Sequence, residues 1–308
     1  MPNEEPRRHH YVPQFFLRNF AVDEERKKVT AVRKNGNKAV WAQTSIKSIA
    51  FETDFYVHTE NGAPVSVETT INRNIETPIS NSETWHKIAN GAIADLDASD
   101  RSVLYSLIRN FEVRTPHYRS TIQELAQLAS QPNSGMQFSE EEQEMYALLR
   151  SDRTLMEAYV NEAAANARWS TDEFYSSGIA VCQVSEPTYL CTTPVHPIKV
   201  PTNAALRSVQ LGLEPVSQLM PLTPNSYVIL SLGDFDGSFT NEKVSPDAEQ
   251  GLKRQIVGQF GFWPKVEHMV CPSDGLQEHL EWAGFEIVSD TPNKKIFERS
   301  VGSSHMRL

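Results

Sequence analysis

The chain has 308 residues, of which 39% are hydrophobic, and a formal net charge of −10. That is enough apolar sequence to build a packed core, and it excludes a disordered chain. The acidic balance counts against a dedicated duplex-binding module, because nucleic acid is a polyanion held by basic faces; a local basic groove would still accommodate it.

The opening "RRHHYVPQFFLRNF" is extended to Val12 and then helical. Pro13 suits a first helical turn, where its missing N–H has no partner to lose, and the residue before it prefers an extended backbone. Phe16, Leu17 and Phe20 share one face and form a core anchor. Gln14 and Arg18 lie together on another. "KKVTAVRKNGNKAVWAQTSI" predicts a hairpin turning at Asn35-Gly36. "IKSIAFETDFYVH" adds a turn and a strand.

From "VETTINRNIETPIS" onward the pattern is helical, with Pro78 as a kink. Ser99 or Asp100 caps the next helix, whose apolar stripe is Val103, Leu104, Leu107, Ile108 and Phe111. Thr115-Pro116 punctuates it, and a further helix runs to about Ala129. Ser139 caps another, with glutamates in its first turn that complement the helix dipole. Near Ser177 the character changes to β-branched runs, "GIAVCQV", "TYLCTT", "SYVILSL" and "VEHMV". The helix "SPDAEQGLKRQIVGQF" sits among them, and "GLQEHLEWAGFEIV" predicts a helix ended by Gly284 before a last strand.

Segregated helices and strands predict an α+β fold: a short β-hairpin opening, a central helical bundle and a mixed β-rich C-terminal part. We expect one integrated domain over residues 1–300, helical over about 64–170 and β-rich over about 177–299, with 301–308 a disordered tail or vector remnant. Cys182, Cys191 and Cys271 are too few and scattered for a disulfide framework and form no CxxC pair, which fits a reducing cytoplasm. The N-terminus lacks a signal-peptide core, and no apolar run spans a bilayer. The expectation is a cytoplasmic protein with no membrane segment.

Several polar groups are candidates for chemistry. His9-His10 before a hydrophobic residue and proline resembles the His-His-Ile-x-Pro stretch of His-Asn-His nucleases. There one histidine is a general base beside a divalent metal. The context departs from that pattern, since a helix follows directly and no Asn-then-His spacing appears. Extended neighbours point to opposite faces, so His9 and His10 are predicted to be unequal, with His10 facing Gln14 and Arg18. Glu68, Asn72 and Glu76 run at four-residue intervals, as acids aimed at a site or as a solvated face. Arg109 and Arg114 pair with those acids, bind an anion or meet the helix dipole. Thr192, Thr193 and His196 follow a strand, at a ligand-binding position or in a proline-bounded turn. No Walker loop, G-x-S-x-G, dinucleotide glycine pattern or HExxH is present.

These residues fall in segments that resemble the proteins called domain of unknown function 4238. The resemblance is carried by "HHYVPQFFLRNF", "IAFETDFYV", "VETTINRNIETPIS", "LIRNFEVRTP", "YLCTTPVHPI" and "LMPLTPNSYVIL", over roughly residues 7 to 272. Where the family has Thr-Ser-Asp-Asn-Pro, this chain has Thr192-Thr193-Pro194. The resemblance implies a bacterial protein and a single domain, and it brings no activity.

Two functional expectations follow. The first is a hydrolase, a nuclease or nucleotide-acting enzyme in a bacterial toxin or phage-defence setting. His10 is then general base, Gln14 its orienting partner, and Glu68 and Glu76 the acid or metal candidates. Arg18, Arg109, Arg114 and Thr193 hold substrate, and a divalent metal is the cofactor that this reading calls on. The second is a non-catalytic binding or sensing module with a protein partner, in which the same cluster is a structural hub.

Overall fold

A computed structural model describes residues 7–131, 138–198, 217–263, 265–272 and 275–299; the expected tail at 301–308 lies outside them. Strand β1 (Arg8–His10) leads into a one-turn helix α1 (Gln14–Leu17), which tightens to a 3₁₀ turn over Arg18–Phe20. Strands β2 (Lys28–Asn35) and β3 (Lys38–Ser45) form the hairpin. Asn35 pairs with Lys38, so the loop is Gly36-Asn37, one residue later than expected. Gly36 takes a φ of +61°, the left-handed geometry that a two-residue hairpin loop requires. Strand β4 (Phe51–Thr53) pairs antiparallel with β1, and β5 (Val57–Glu60) pairs with β6 (Ala63–Ser66).

The helical part comprises α2 (Glu68–Ile71), a π turn over Asn72–Glu76, α3 (Thr77–Ser80), α4 (Glu83–Ala89) and α5 (Arg101–Val113). It continues through α6 (Pro116–Leu128), α7 (Glu140–Ser151), α8 (Arg153–Ala165) and α9 (Thr171–Ser176). Next come β7 (Gly178–Gln183), β8 (Leu190–Cys191), β9 (His196–Ile198), β10 (Ser217–Thr223), β11 (Ser226–Ser231) and β12 (Phe239–Lys243). Helix α10 (Pro246–Phe262), β13 (His268–Val270), α11 (Leu276–Trp282), β14 (Phe285–Thr291) and β15 (Lys294–Arg299) follow. The fold is α+β.

Two sheets organise it. One is five-stranded in the order β12-β7-β11-β10-β9, and the other six-stranded in the order β14-β15-β3-β2-β13-β8. The N-terminal hairpin is thus built into a sheet with the last strands of the chain. Side chains alternate across each strand, so each sheet feeds two cores. Ala31, Leu190 and Val270 join the core under the N-terminal segment and the helices, while Val32, Cys191 and Met269 join the core under α10 and α11. Phe16, Leu17 and Phe20 are buried, with Phe16 edge-on to Phe111 at 4.8 Å. The opening is therefore a core anchor. A third, smaller core joins α6, α7 and α8. Among the described residues no helix is long and apolar enough to cross a membrane.

Candidate functional site

Arg114 follows the last turn of α5 and is 0% exposed. A guanidinium taken out of water needs partners for its N–H groups. Its Nε donates to the Tyr56 hydroxyl at 3.0 Å and its Nη1 to Asn110 Oδ1 at 3.0 Å. Its Nη2 donates to Glu76 Oε1 at 2.6 Å and to the His10 carbonyl at 2.8 Å. The Tyr56 hydroxyl donates in turn to the Arg114 carbonyl at 3.4 Å. Burial opposes the charge, yet Tyr56, Glu76 and Glu68 around it hold the guanidinium protonated above its usual range. Burial likewise pushes the Tyr56 hydroxyl upward, so it stays a neutral donor.

The sequence builds this cluster locally. Asn110 precedes Arg114 by four residues and so shares its helix face. Thr115 then caps α6, its Oγ1 accepting from Tyr118 N at 3.2 Å, and Pro116 sits where no N–H is needed. Pro78 lacks the N–H that would meet Asn74, and its ring crowds that carbonyl. The helix meets this by widening into the π turn Asn72–Glu76. Glu76 ends that turn, and Glu68, one helix earlier, also acts on Arg114.

His9 and His10 are unequal. They pair with Glu52 and Phe51 and face opposite sides of β1. His9 is buried, stacks on Tyr56 at 5.7 Å, and its Nδ1 accepts from Tyr56 N at 2.9 Å. Nδ1 is thus the unprotonated nitrogen of a neutral ring. His10 is half-buried against Phe51, with ring centroids 5.8 Å apart. Burial, then Arg8 and Arg114, lower its pKa to about 4, while the backbone at Lys47 and Ile46 acts the other way. Its Nε2 is buried without a hydrogen-bond partner.

The structure brings His10, Glu68, Glu76 and Arg114 together, His10 through its carbonyl. The remaining candidates lie apart. Gln14 opens α1 half-buried, with no side-chain hydrogen bond among the described residues. Arg18 is exposed, because the 3₁₀ turn breaks its four-residue register with Gln14, and its carbonyl accepts from Arg26 Nε at 3.1 Å. Arg109 is buried in ion pairs with Glu112 at 2.5 Å and Glu173 at 3.0 Å. Thr193 is buried between β8 and β9, its Oγ1 without a partner. Neighbouring Thr192 accepts from His268 N at 3.4 Å. His196, also buried, has its pKa lowered to about 3, by burial first and then by His117. Tyr56 and Asn110 were missed as site residues, although both lie inside the quoted family-like segments.

Among the described residues no three His, Cys, Asp or Glu side chains converge to hold a metal ion. The glutamates of the cluster surround a buried cation, an arrangement that does not fit a divalent metal. Cavities of about 430, 950 and 260 Å³ are present, and none is lined by His10, Glu68, Glu76 or Arg114.

The fold is α+β, and buried Arg114 adds hydrogen bonds to the packing that holds the N-terminal segment against the helices. Residues 8–246 match the family described as Protein of unknown function (DUF4238), and the chain belongs to it. The family-like segments that bring His9, Tyr56, Glu76 and Arg114 converge on this one cluster. No curated protein and no solved structure matches the chain.

Proposed function

We propose that the chain is a non-catalytic binding or sensing module, and that the Arg114 cluster is architecture. The observation behind this reading is saturation: the fully buried guanidinium is already bonded to Tyr56, Asn110, Glu76 and the His10 backbone. A substrate would have to displace a protein partner to reach it. Three buried free thiols suit work in a reducing cytoplasm. Trp169 and Tyr175, both exposed, favour a protein partner on the α9 side, since aromatic residues are enriched at interfaces.

A hydrolase is the second reading, and one observation favours it. His10 is a neutral imidazole with an unpartnered Nε2, the state that a general base requires. That nitrogen is closed off from solvent, however, so a substrate could meet it only after the segment opens. The two readings separate through His10→Ala, assayed for melting temperature and for hydrolysis of nucleotides and single-stranded DNA. Binding predicts no His10-dependent turnover and a lowered melting temperature. Turnover in the native chain, lost in a variant with unchanged melting, would overturn it.

A further inference from the structure

The cavity of about 430 Å³ lies among α3, α5 and the turn that follows α8. Its walls belong to one site. Ser102, Val103 and Ser106 share a face of α5, since they fall at i, i+1 and i+4. Asn74 and Pro78 lie one turn apart on the facing wall, and Ile75 and Ile79 beside them enter the same core as Ala165 and Ala167. Trp169 completes the lining and meets α5 directly, edge-on to Tyr105 at 4.7 Å.

No charged side chain lines this cavity, and its polar groups are neutral and open. The Ser102 and Ser106 hydroxyls, the Asn166 amide and the Trp169 indole N–H make no hydrogen bond among the described residues. Asn74 commits only its Oδ1, which accepts from Arg73 Nε at 3.1 Å. Trp169 keeps 42% of its surface exposed.

The turn that carries Asn166 and Trp169 is held against its own preference. Ala167 and Arg168 between them have φ of +53° and +46°, left-handed backbone that residues with a Cβ rarely adopt. Such residues persist where the surrounding structure over-determines them. Here Ala167 is buried in the core and Arg168 pairs with Glu112 of α5 at 3.0 Å. Trp169 also packs on Phe174 at 5.0 Å. Strain of this kind collects at ligand clamps, and what it fixes here is an indole and an amide on one cavity.

A charged ligand would find no counter-charge among these walls, and a wholly apolar one would leave the amides and hydroxyls without partners. A sugar ring has an apolar C–H face and a rim of neutral hydroxyls that donate and accept. We propose that this cavity binds a neutral sugar ring, with its C–H face on Trp169 and its hydroxyls on Asn74, Asn166, Ser102 and Ser106. The volume lies in the lower part of the range for small-molecule sites. The assignment rests on the binding or sensing reading and gives that module a ligand class. Trp169 also belongs to the exposed face on the α9 side, so the ligand sits at the edge of the surface offered to a partner.

The test is titration of the full chain with D-glucose, D-galactose, D-mannose and N-acetyl-D-glucosamine, read by calorimetry and by tryptophan fluorescence. Glucuronate, galacturonate and adenine are the comparison probes. A ring of about twelve non-hydrogen atoms binds near the millimolar range, so at least one of the four sugars should bind with a Kd on the order of 1 mM or tighter. The uronates, which add a charge to the same ring, should bind at least about tenfold more weakly than the best of them. Trp169→Ala should weaken that sugar by about tenfold or more through lost apolar contact, and Asn166→Ala by about three- to tenfold, the scale of one hydrogen bond. Trp282→Ala, at another exposed indole on α11, should leave binding within about twofold. Melting temperatures show whether each variant is folded, and Asn166→Ala carries the test if Trp169→Ala does not fold. No binding by any of the four sugars at about tenfold above that Kd would overturn the proposal. So would binding that Trp169→Ala and Asn166→Ala leave intact, an equal loss in Trp282→Ala, uronates that bind as tightly, or adenine binding where no sugar does. A failed cavity leaves the Arg114 reading standing, because that is tested separately by melting and turnover of His10→Ala.

Discussion

The Arg114 cluster and the cleft of about 950 Å³ lined by the β2–β3 hairpin both gather charge, and they handle it in opposite ways. In the cluster the guanidinium is wholly buried and its partners come from four parts of the chain. In the cleft Arg33 stands exposed on a strand whose own hydrogen bonds are already made to β3 and β13. Removing a partner from a buried charge is costly, whereas an exposed charge contributes little to stability. The contrast teaches that a concentration of polar residues in sequence is not in itself a site. What matters is whether the fold has already used their donors and acceptors.

The strongest way to break that contrast is Arg114→Ala. It leaves Glu76 and the Tyr56 and Asn110 groups without their partner inside the core. We expect a loss of about 3–5 kcal/mol, or failure to fold at ordinary temperature. Phe16→Ala, which removes the ring between Phe111 and Trp85, should cost about as much, 3–5 kcal/mol, through its cavity. Chemical denaturation checks both. An Arg114→Ala protein as stable as the native chain would remove the structural reading. Glu76→Gln keeps the shape and deletes the charge, so its loss should be smaller, about 1–3 kcal/mol.

How much of this was legible follows from the range over which each feature acts. The anchor Phe16, Leu17 and Phe20, the cap at Ser139, the break at Thr115-Pro116 and the helix ending before Gly284 are set by neighbours within a turn or two. Periodicity and capping residues find such features. The hairpin turns one residue later than the sequence predicts, because "NGN" offers two adjacent turn positions and the cross-strand partner decides between them. That β15 pairs with β3 is a contact between the two ends of the chain, and no local pattern carries it. The site divides likewise. Glu76 and Arg114 stood out as isolated charges, and the structure joins them through a π turn that follows from Pro78. Tyr56 and Asn110 looked like ordinary core and helix residues. Their hydrogen-bonding role depends on where Arg114 is buried. The packing of Arg299 on Phe262 was not legible at all, since β15 and α10 are distant in sequence.

Acid titration reaches both regions. His10 and His268 each have a pKa lowered to about 4 in the folded chain, by burial first and then by nearby arginines. The unfolded chain has ordinary histidines near 6.5, so it binds more protons between those values. The stability associated with both rings is therefore complete above about pH 6.5 and is lost as pH falls toward about 4. Denaturation midpoints followed from pH 7 to 4 should decline, and His10→Ala and His268→Asn should each flatten the decline. His10→Ala should also lower stability at neutral pH, by about 1 kcal/mol, through lost packing on Phe51. A pH profile unchanged by both substitutions would mean that neither ring is held neutral by the fold.

The smallest expected effect on stability separates the regions most sharply. Arg33 is exposed and makes no side-chain hydrogen bond or ion pair among the described residues. Arg33→Ala should therefore change unfolding free energy by no more than about 0.5 kcal/mol, the range of an ordinary surface substitution. A large stability loss in Arg33→Ala would mean that this arginine is architecture too, and the distinction between a saturated cluster and an open cleft would fail at the residue on which it most depends.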